Sequence, residues 1–362
     1  MARMKLFYLG PEGTFTHQAA MMAAERFTPL GDFDLVALPD VPAIMQAVQH
    51  GDGWGVIAWE NNVEGYVVPN LDALIDADDA AGFARVSVDV AFNAFTVHGQ
   101  DVRDLNGAQV SAHPHGLAQC KRFIADHGLR PTPASSNAAA CRDLKPGQVA
   151  LGPGICGELY GLDVLDEHVQ DFEGAHTEFL IIAPRHEVQD LSAMARRDPD
   201  GEFETIVIFI LLATGPGVLA DMLDVLRDAG LNMTSFISRP VKGHDGTYSF
   251  IATFDAAPWE PRFRDALSQI IGNGDWAKTL AVYPRRERPN PPVDAWMLPK
   301  GGVHIDPRSA GDRDGLDAGA GGNHDNSRYS ADNADNGASD YEASGNGRDW
   351  RQRECVRREL LW

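Results

Sequence analysis

Short apolar runs alternate along this chain with amphipathic stretches, in the order that a layered α/β protein requires. Residues 5–9, 33–38 and 54–59 read as strands. Between them, a helix capped by Thr14 or Thr16 runs to about Phe27, and residues 41–49 form a second that Gly51 stops. Residues 86–95 alternate as one further strand. Residues 109–116 pass from strand through turn into a helix with an apolar stripe of Leu117, Cys120, Phe123 and Ile124. A strand at 148–151 and a helix through Ile155, Leu159 and Tyr160 follow, and the region closes on the apolar run after Thr177. Beyond a polar segment at 186–201 the order becomes strand 204–212, helix 217–229, strands 232–241 and 246–255, helix 260–271 and strand 278–283. That βαββαβ order is ferredoxin-like. The boundaries are therefore 1–185, 203–286 and a mostly disordered extension at 287–362. Residues 311–347 are rich in Gly, Asp, Asn and Ser without periodicity, and 348–362, although they hold Leu360, Leu361 and Trp362, read as a loose tail.

Four strand ends carry polar chemistry. Gly174-Ala175-His176-Thr177-Glu178-Phe179 brings a hydroxyl and a carboxylate to the mouth of an apolar strand. Leu9-Gly10-Pro11-Glu12-Gly13-Thr14, Glu60-Asn61-Asn62-Val63-Glu64-Gly65 and Pro133-Ala134-Ser135-Ser136-Asn137 are junctions of the same kind. In α/β sheets ligands collect at such carboxyl ends, which puts Thr177 at the bottom of a cleft lined by the other three. Asn61 and Asn62 either satisfy turn backbone or orient a polar ligand. The Gly10–Gly13 turn lacks the Lys-Ser/Thr pair of a phosphate loop and the glycine spacing of a dinucleotide site. His113-Pro114-His115 has no further ligand at metal spacing, so His113 is expected to cap or pack and His115 to face the cleft. Ser136 reads as a helix cap beside an anion site made of backbone N–H groups.

At 362 residues the chain allows two or three domains. A formal charge of −21 argues against a nucleic-acid partner, while leaving local anion binding open. No apolar run reaches the length of a membrane span, and the first residues lead directly into a strand, which points to a cytoplasmic protein. Cys120, Cys141, Cys156 and Cys355 include no C-x-x-C pair and are expected to be free thiols.

Six ordered blocks resemble one family. They are Tyr8-Leu9-Gly10-Pro11-Glu12-Gly13-Thr14-Phe15-Thr16, Glu60-Asn61-Asn62-Val63-Glu64-Gly65, the stretch from Ser111 to Cys120, Ser136-Asn137-Ala138-Ala139-Ala140, Tyr160-Gly161-Leu162, and Thr177-Glu178-Phe179. Residues 5 to about 183 thereby resemble the catalytic domain of prephenate dehydratase. The resemblance implies a two-lobed α/β fold like a type II periplasmic binding protein, with prephenate in the cleft and no metal or organic cofactor. Residues 203–286 resemble an ACT regulatory domain through Gly215-Pro216-Gly217-Val218-Leu219 and Ser238-Arg239-Pro240. That implies a phenylalanine effector near Gly217, Val218, Leu219, Ser238, Arg239 and Pro240, and a homodimer or homotetramer.

By the same resemblance Thr177 handles the departing hydroxyl, Asn61 and Asn62 orient the substrate, and His115 or a carboxylate supplies a proton, with Glu178 among the catalytic candidates. Thr14, Glu64, Ser111, His113, Ser136, Asn137 and Phe179 line the substrate site. The chain departs from the family pattern at Asn62 (usually Ser), His115 (usually Gln), Glu178 (usually Arg) and Ile237 (usually Glu). Glu178 replaces a cation suited to a carboxylate, so Glu178→Arg is expected to lower the KM or leave it nearly unchanged. Ile237, read as packed in a subunit interface, removes one charge-assisted contact from the effector site. Two other readings stand beside the dehydratase: a non-aromatising prephenate decarboxylase, and a sensor that binds without turnover.

Overall fold

The run from Met4 to Leu9 forms β1, whose Leu6 and Tyr8 are buried, and it pairs in parallel with β2 (Phe33–Leu38) across α1 (Phe15–Arg26). The computed structural model describes residues 3–100, 105–195, 201–285, 298–303 and 353–361. Thr14 caps α1, and the buried Ala19, Ala20 and Ala23 let the helix approach the sheet closely. Asp40 caps α2 (Val41–Gln49), which leads to β3 (Trp54–Asn61), the short β4 (Gly65–Tyr66), α3 (Val68–Asp76) and β5 (Ala81–Asp89).

The chain then crosses to a second lobe. It comprises β6 (Asn93–Val97), β7 (Gln109–Ala112), α4 (Pro114–Gln119), α5 (Lys121–Asp126), β8 (Arg130–Pro133), α6 (Asn137–Arg142), β9 (Gln148–Gly152), α7 (Ile155–Tyr160) and β10 (Leu162–Asp166). These five strands form one sheet in the order β10-β6-β9-β7-β8. β11 (His176–Ala183) returns to the first lobe and lies between β3 and β5. The expected single strand over 86–95 is two strands. Val86 and Val88 pack in the first core and Phe92 and Ala94 in the second, so one unbroken alternation serves two lobes. Where the chain crosses, Val90 N donates to Ala175 O at 2.7 Å, so the two connecting segments run side by side. The helical stripe from Leu117 to Ile124 is likewise divided, between α4 and α5, at Cys120.

The polar segment at 186–201 also differs from expectation. Residues Arg185–Ala195 form α8, whose Val188, Leu191 and Ala195 pack on the first core. Its charged residues had masked a narrow stripe at helical spacing. Then come β12 (Phe203–Ile210), α9 (Val218–Asp228), β13 (Met233–Pro240), β14 (Tyr248–Phe254), α10 (Pro261–Gly272) and β15 (Trp276–Pro284). These strands do not form a sheet of their own. β15 lies beside β5, giving one ten-stranded sheet in the order β13-β14-β12-β15-β5-β11-β3-β1-β2, with β4 on β3. The junction is the parallel pair Ala281–Gly82, and a Cβ on Gly82 would fall 2.8 Å from the Ala281 Cβ. Glycine is what allows the two regions to join.

One face of the ferredoxin-like strands, including Val207, Phe209 and Phe236, packs with α9 and α10. The other face turns Ile206, Ile208 and Ile237 into the core that α2 and α3 share. Ile237, half-buried, therefore packs against that core within its own chain. The loose tail is corrected. Residues Glu354–Leu360 form α11, and Leu360 and Leu361 are each 1% exposed. Residues 287–297 and 304–352, including the low-complexity stretch at 311–347, lie outside the described residues.

Candidate functional site

The segments that follow the parallel strands β1 and β3 in the first lobe contact α7 and α4 of the second. Among the described residues, side-chain contacts cross between the lobes at three places. Glu64 reaches α4, where its carboxylate lies 3.2 Å from His115 Nδ1 and accepts from Gln119 Nε2 at 3.1 Å. Tyr160 Oη donates to Glu12 O at 2.6 Å and Cys156 Sγ to Gly13 O at 3.3 Å. Phe15 and Phe92 meet edge to face with centroids 5.4 Å apart. Gly13 sits at φ +84°, and a Cβ there would lie 3.1 Å from the Cys156 sulfur and 3.2 Å from the Tyr160 ring. Both the backbone conformation and the lobe contact require glycine.

At the cleft floor, β11 sets Thr177 directly opposite Asn61 of β3. Asn61 Oδ1 accepts from the backbone N–H groups of Val63 and Glu64, both at 2.9 Å, closing the turn in the manner of an Asx motif. Those two donors fix which end of the amide is which. Asn61 Nδ2 therefore donates to Thr177 Oγ1, at 3.0 Å. The threonine oxygen is an acceptor in this pair, and its own hydroxyl proton is left to donate elsewhere.

Asn62 is used differently. Its Nδ2 donates to Gly174 O at 2.9 Å, its Oδ1 accepts from His176 N at 2.8 Å, and its backbone N donates to His176 O at 3.1 Å. These bonds staple the 61–65 turn to the entrance of β11.

Glu178 does not face the cleft. Against β5 the register is regular, Thr177 opposite Val88, Glu178 opposite Ser87 and Phe179 opposite Val86, although the pairing with β3 shifts between Glu178 and Phe179; Phe179 and Ile181 pack in one core with Val86 and Val88, while Leu180 and Ile182 pack in the other. Glu178 thus lies on the reverse face of the sheet from Thr177. There its carboxylate meets Arg85 Nε at 3.1 Å, and Arg85 Nη1 lies 3.5 Å from Glu204 on β12. Glu60 sits beside Glu178 in register, and burial pushes the Glu60 carboxyl up, Arg85 pulls it back and Glu178 adds to the rise. A second arginine at 178 would confront Arg85 and not the substrate, so the KM expectation for Glu178→Arg is replaced. That substitution is expected to cost about 3 kcal/mol of stability, the lower end of the ~3–5 kcal/mol seen when one partner of a buried pair is lost. Urea unfolding checks it, with Arg85→Glu/Glu178→Arg expected to recover much of the loss. A Glu178→Arg chain as stable as the wild type would refute the ion pair's role.

Phe179, expected at the substrate, is 1% exposed within the core. The Thr14 hydroxyl is committed to its own turn, donating towards Pro11 O at 3.1 Å and accepting from His17 N at 3.1 Å. In the second lobe, Ser136 Oγ accepts from Ala139 N at 2.9 Å as the cap of α6. Asn137 Oδ1 accepts from His113 N at 2.9 Å, and His113 Nδ1 accepts from His115 N at 3.3 Å, capping α4. Burial, then His115, lowers the His113 pKa, which suits a neutral ring that accepts that bond. Ser111 is half-buried at the end of β7 and His115 is exposed. Among the described residues no group of three His, Cys, Asp or Glu side chains could hold a metal ion. The residues that sequence reasoning missed are Arg85 and Tyr66. Arg85 stands in a strand with no motif, and Tyr66 Oη pairs with Ser235 Oγ across to β13.

The sequence profile described as prephenate dehydratase matches residues 6–187. The prephenate dehydratase of Amycolatopsis methanolica is 33% identical over 271 residues, which span 74% of this chain and 84% of that protein. A crystal structure of prephenate dehydratase from Arthrobacter aurescens in complex with L-Phe superposes with a TM-score of 0.63 at 25% identity, over 78% of this chain and 90% of that one. The Staphylococcus aureus prephenate dehydratase structure shares the fold, with a TM-score of 0.61 at 21% identity over 77% and 100% of the two chains. On the profile match and on this identity and coverage, the chain belongs to the prephenate dehydratase family.

Proposed function

We propose that the Thr177–Asn61 pair is where prephenate loses its ring hydroxyl, as this hydro-lyase turns prephenate into phenylpyruvate, CO2 and water. The bond between the ring and its carboxylate breaks, and its electron pair enters the ring. The ring C–O bond breaks with its pair staying on oxygen, which takes up one proton and leaves as water. The observation that carries this assignment is the fixed Asn61 amide. It occupies the acceptor side of Thr177 Oγ1 and leaves the hydroxyl proton for the departing oxygen. Threonine is far too weak an acid to give up its proton outright, so His115, held by Glu64 at the cleft mouth, replenishes it. Ser111, Ser136 and the adjoining N–H groups receive the carboxylates, and Asn62 positions the turn. Incubating the purified chain with prephenate tests the reading. Phenylpyruvate with CO2 supports it, CO2 with a non-aromatic keto acid identifies a decarboxylase, and binding without turnover identifies a sensor.

The ferredoxin-like region serves as an ACT domain in this reading, and the Arthrobacter relative's complex with L-Phe supports phenylalanine as its effector. Val218 and Leu219 at the start of α9 and Ser238 belong to the helix face of the sheet, since Ser238 alternates with Ile237, which faces α3. Arg239 leaves that group because its guanidinium pairs with Asp72 on the other face. With β15 joined to β5, β13 is the edge left to pair with a second copy in a dimer or tetramer. The buried free thiols of Cys120, Cys141 and Cys156 suit a reducing, cytoplasmic compartment.

A further inference from the structure

The turn from Pro11 to Thr14 receives two of the contacts through which the second lobe reaches the first, and one buried side chain braces it. Gly13 O accepts from Cys156 Sγ at 3.3 Å and Glu12 O accepts from Tyr160 Oη at 2.6 Å, both from α7. The same Gly13 donates its N–H to Nδ1 of His17, in the first turn of α1, at 3.1 Å. His17 is buried, and its ring stacks on Tyr8 of β1 with centroids 4.9 Å apart and planes 22° apart. Its backbone N–H returns to Thr14 Oγ1 at 3.1 Å, so ring and backbone both hold the turn.

The direction of the Gly13 bond fixes the state of the ring. A backbone N–H can only donate, so Nδ1 carries a lone pair, and His17 is the neutral tautomer with its proton on Nε2. Packing alone needs no such acceptor, since a phenyl ring would stack on Tyr8 as well. Protonation would set a second donor against the Gly13 N–H, and the peptide that receives Cys156 would lose its anchor. The titratable groups around the ring favour the neutral form. Burial lowers the His17 pKa, and Glu12 in the turn opposes the fall. Tyr8 is pushed up to about 12 by burial, then by Glu12 and Tyr160, and burial raises Tyr160 as well, so neither phenol is charged near neutral pH. We propose that His17 is a positioning residue for the dehydratase reaction, its neutral ring holding Gly13 in the conformation on which the second lobe closes. It touches no substrate. Its effect passes through Gly13 and Cys156 to the cleft, and for its kinetic consequence it rests on the reading above, in which groups of both lobes hold prephenate. A saturating substrate that bridges the lobes draws them shut by itself, so loss of the brace falls on KM more than on kcat. The brace is complete above the ordinary histidine pKa of about 6.5 and is lost as the pH falls through the lowered one.

Two variants separate this role from packing. His17→Phe keeps a ring beside Tyr8 and removes the acceptor, whereas His17→Asn puts Oδ1 where Nδ1 stands and does not titrate. With melting curves as the control for folding, His17→Phe is expected to raise the KM for prephenate about tenfold, with kcat changed far less, and His17→Asn to stay near the wild-type KM. The wild-type KM is expected to rise below pH ~6.5, and that of His17→Asn to rise less. Two-bond proton–nitrogen NMR correlations of the wild type are expected to show the His17 proton on Nε2 and none on Nδ1. Labelling of Cys156 by a thiol reagent, located by mass spectrometry, is expected to quicken in His17→Phe as the lobe contact that covers it opens. The proposal is overturned if Nδ1 carries the proton at neutral pH, if folded His17→Phe keeps the wild-type KM and labelling rate, if His17→Asn is as impaired as His17→Phe, or if the KM of wild type and His17→Asn respond equally to pH. The NMR and labelling arms need no substrate, and the NMR arm is read on the wild type. They therefore decide the role of His17 even if prephenate binds otherwise than proposed or a variant fails to fold.

Discussion

Thr177→Val is expected to lower kcat for prephenate by about 10²–10⁴, the usual contribution of a positioned proton donor, while the fold and the KM change little. Valine has the shape of threonine and suits a strand, so β11 keeps its place between β3 and β5. What disappears is the hydroxyl. The Asn61 amide keeps its two bonds to the turn and loses one partner, a local loss of about 1 kcal/mol. Thr177→Ser retains the hydroxyl and is expected to keep most of the rate. Steady-state kinetics on both variants, with melting curves as the control, make the comparison. A folded Thr177→Val chain with wild-type kcat would remove Thr177 from the chemistry.

Arg185→Met is expected to destabilise the chain by about 3–5 kcal/mol and to release α11. Arg185 has no exposed surface, and its guanidinium donates to four carbonyls: Ala80 O, Thr279 O, Arg358 O and Glu359 O. Burial lowers its pKa to about 10, with Glu359 opposing the fall from 3.5 Å, so the group remains a cation at neutral pH. The residue therefore ties three segments together: the start of β5, β15 and the C-terminal helix. Methionine fills much of the volume but leaves the carbonyls without their donor. The release should be local as well as global, because α11 is otherwise held by Thr279 Oγ1 donating to Leu360 O at 2.9 Å and by Leu360 and Leu361 in their cores. Denaturant unfolding gives the global loss, and hydrogen exchange over 353–361 gives the local one. Wild-type stability in Arg185→Met would show that the C-terminal helix is held without it.

Much of this was legible in the sequence, for identifiable reasons. β2 and α2 could be bounded to the residue because Asp40 and Gly51 punctuate a clear change of period. The placement of Thr177 and Asn61 at strand ends was legible because polar residues break the apolar runs there. The fate of Glu178 was not legible. Its partner, Arg85, comes from a distant strand with no motif, and only the pleat shows that Glu178 and Thr177 point to opposite faces. The crossing at Val90 was hidden because one alternation feeds two cores. α11 was hidden because two leucines in a short basic stretch carry no visible partner until Arg185 is seen beneath them. Composition suggested a tail, and a buried guanidinium, the Thr279 and Gln189 bonds and two buried leucines hold it in place.

The most direct test of the central claim is a crystal structure of Thr177→Val soaked with prephenate, the slow variant allowing the substrate to be trapped. The expected result places the ring hydroxyl against position 177 and within hydrogen-bond reach of Asn61 Nδ2, with the carboxylates towards Ser111, His115 and Ser136. Prephenate bound in the cleft with its hydroxyl turned away from position 177, or bound elsewhere, would contradict the assignment of Thr177 to the departing oxygen.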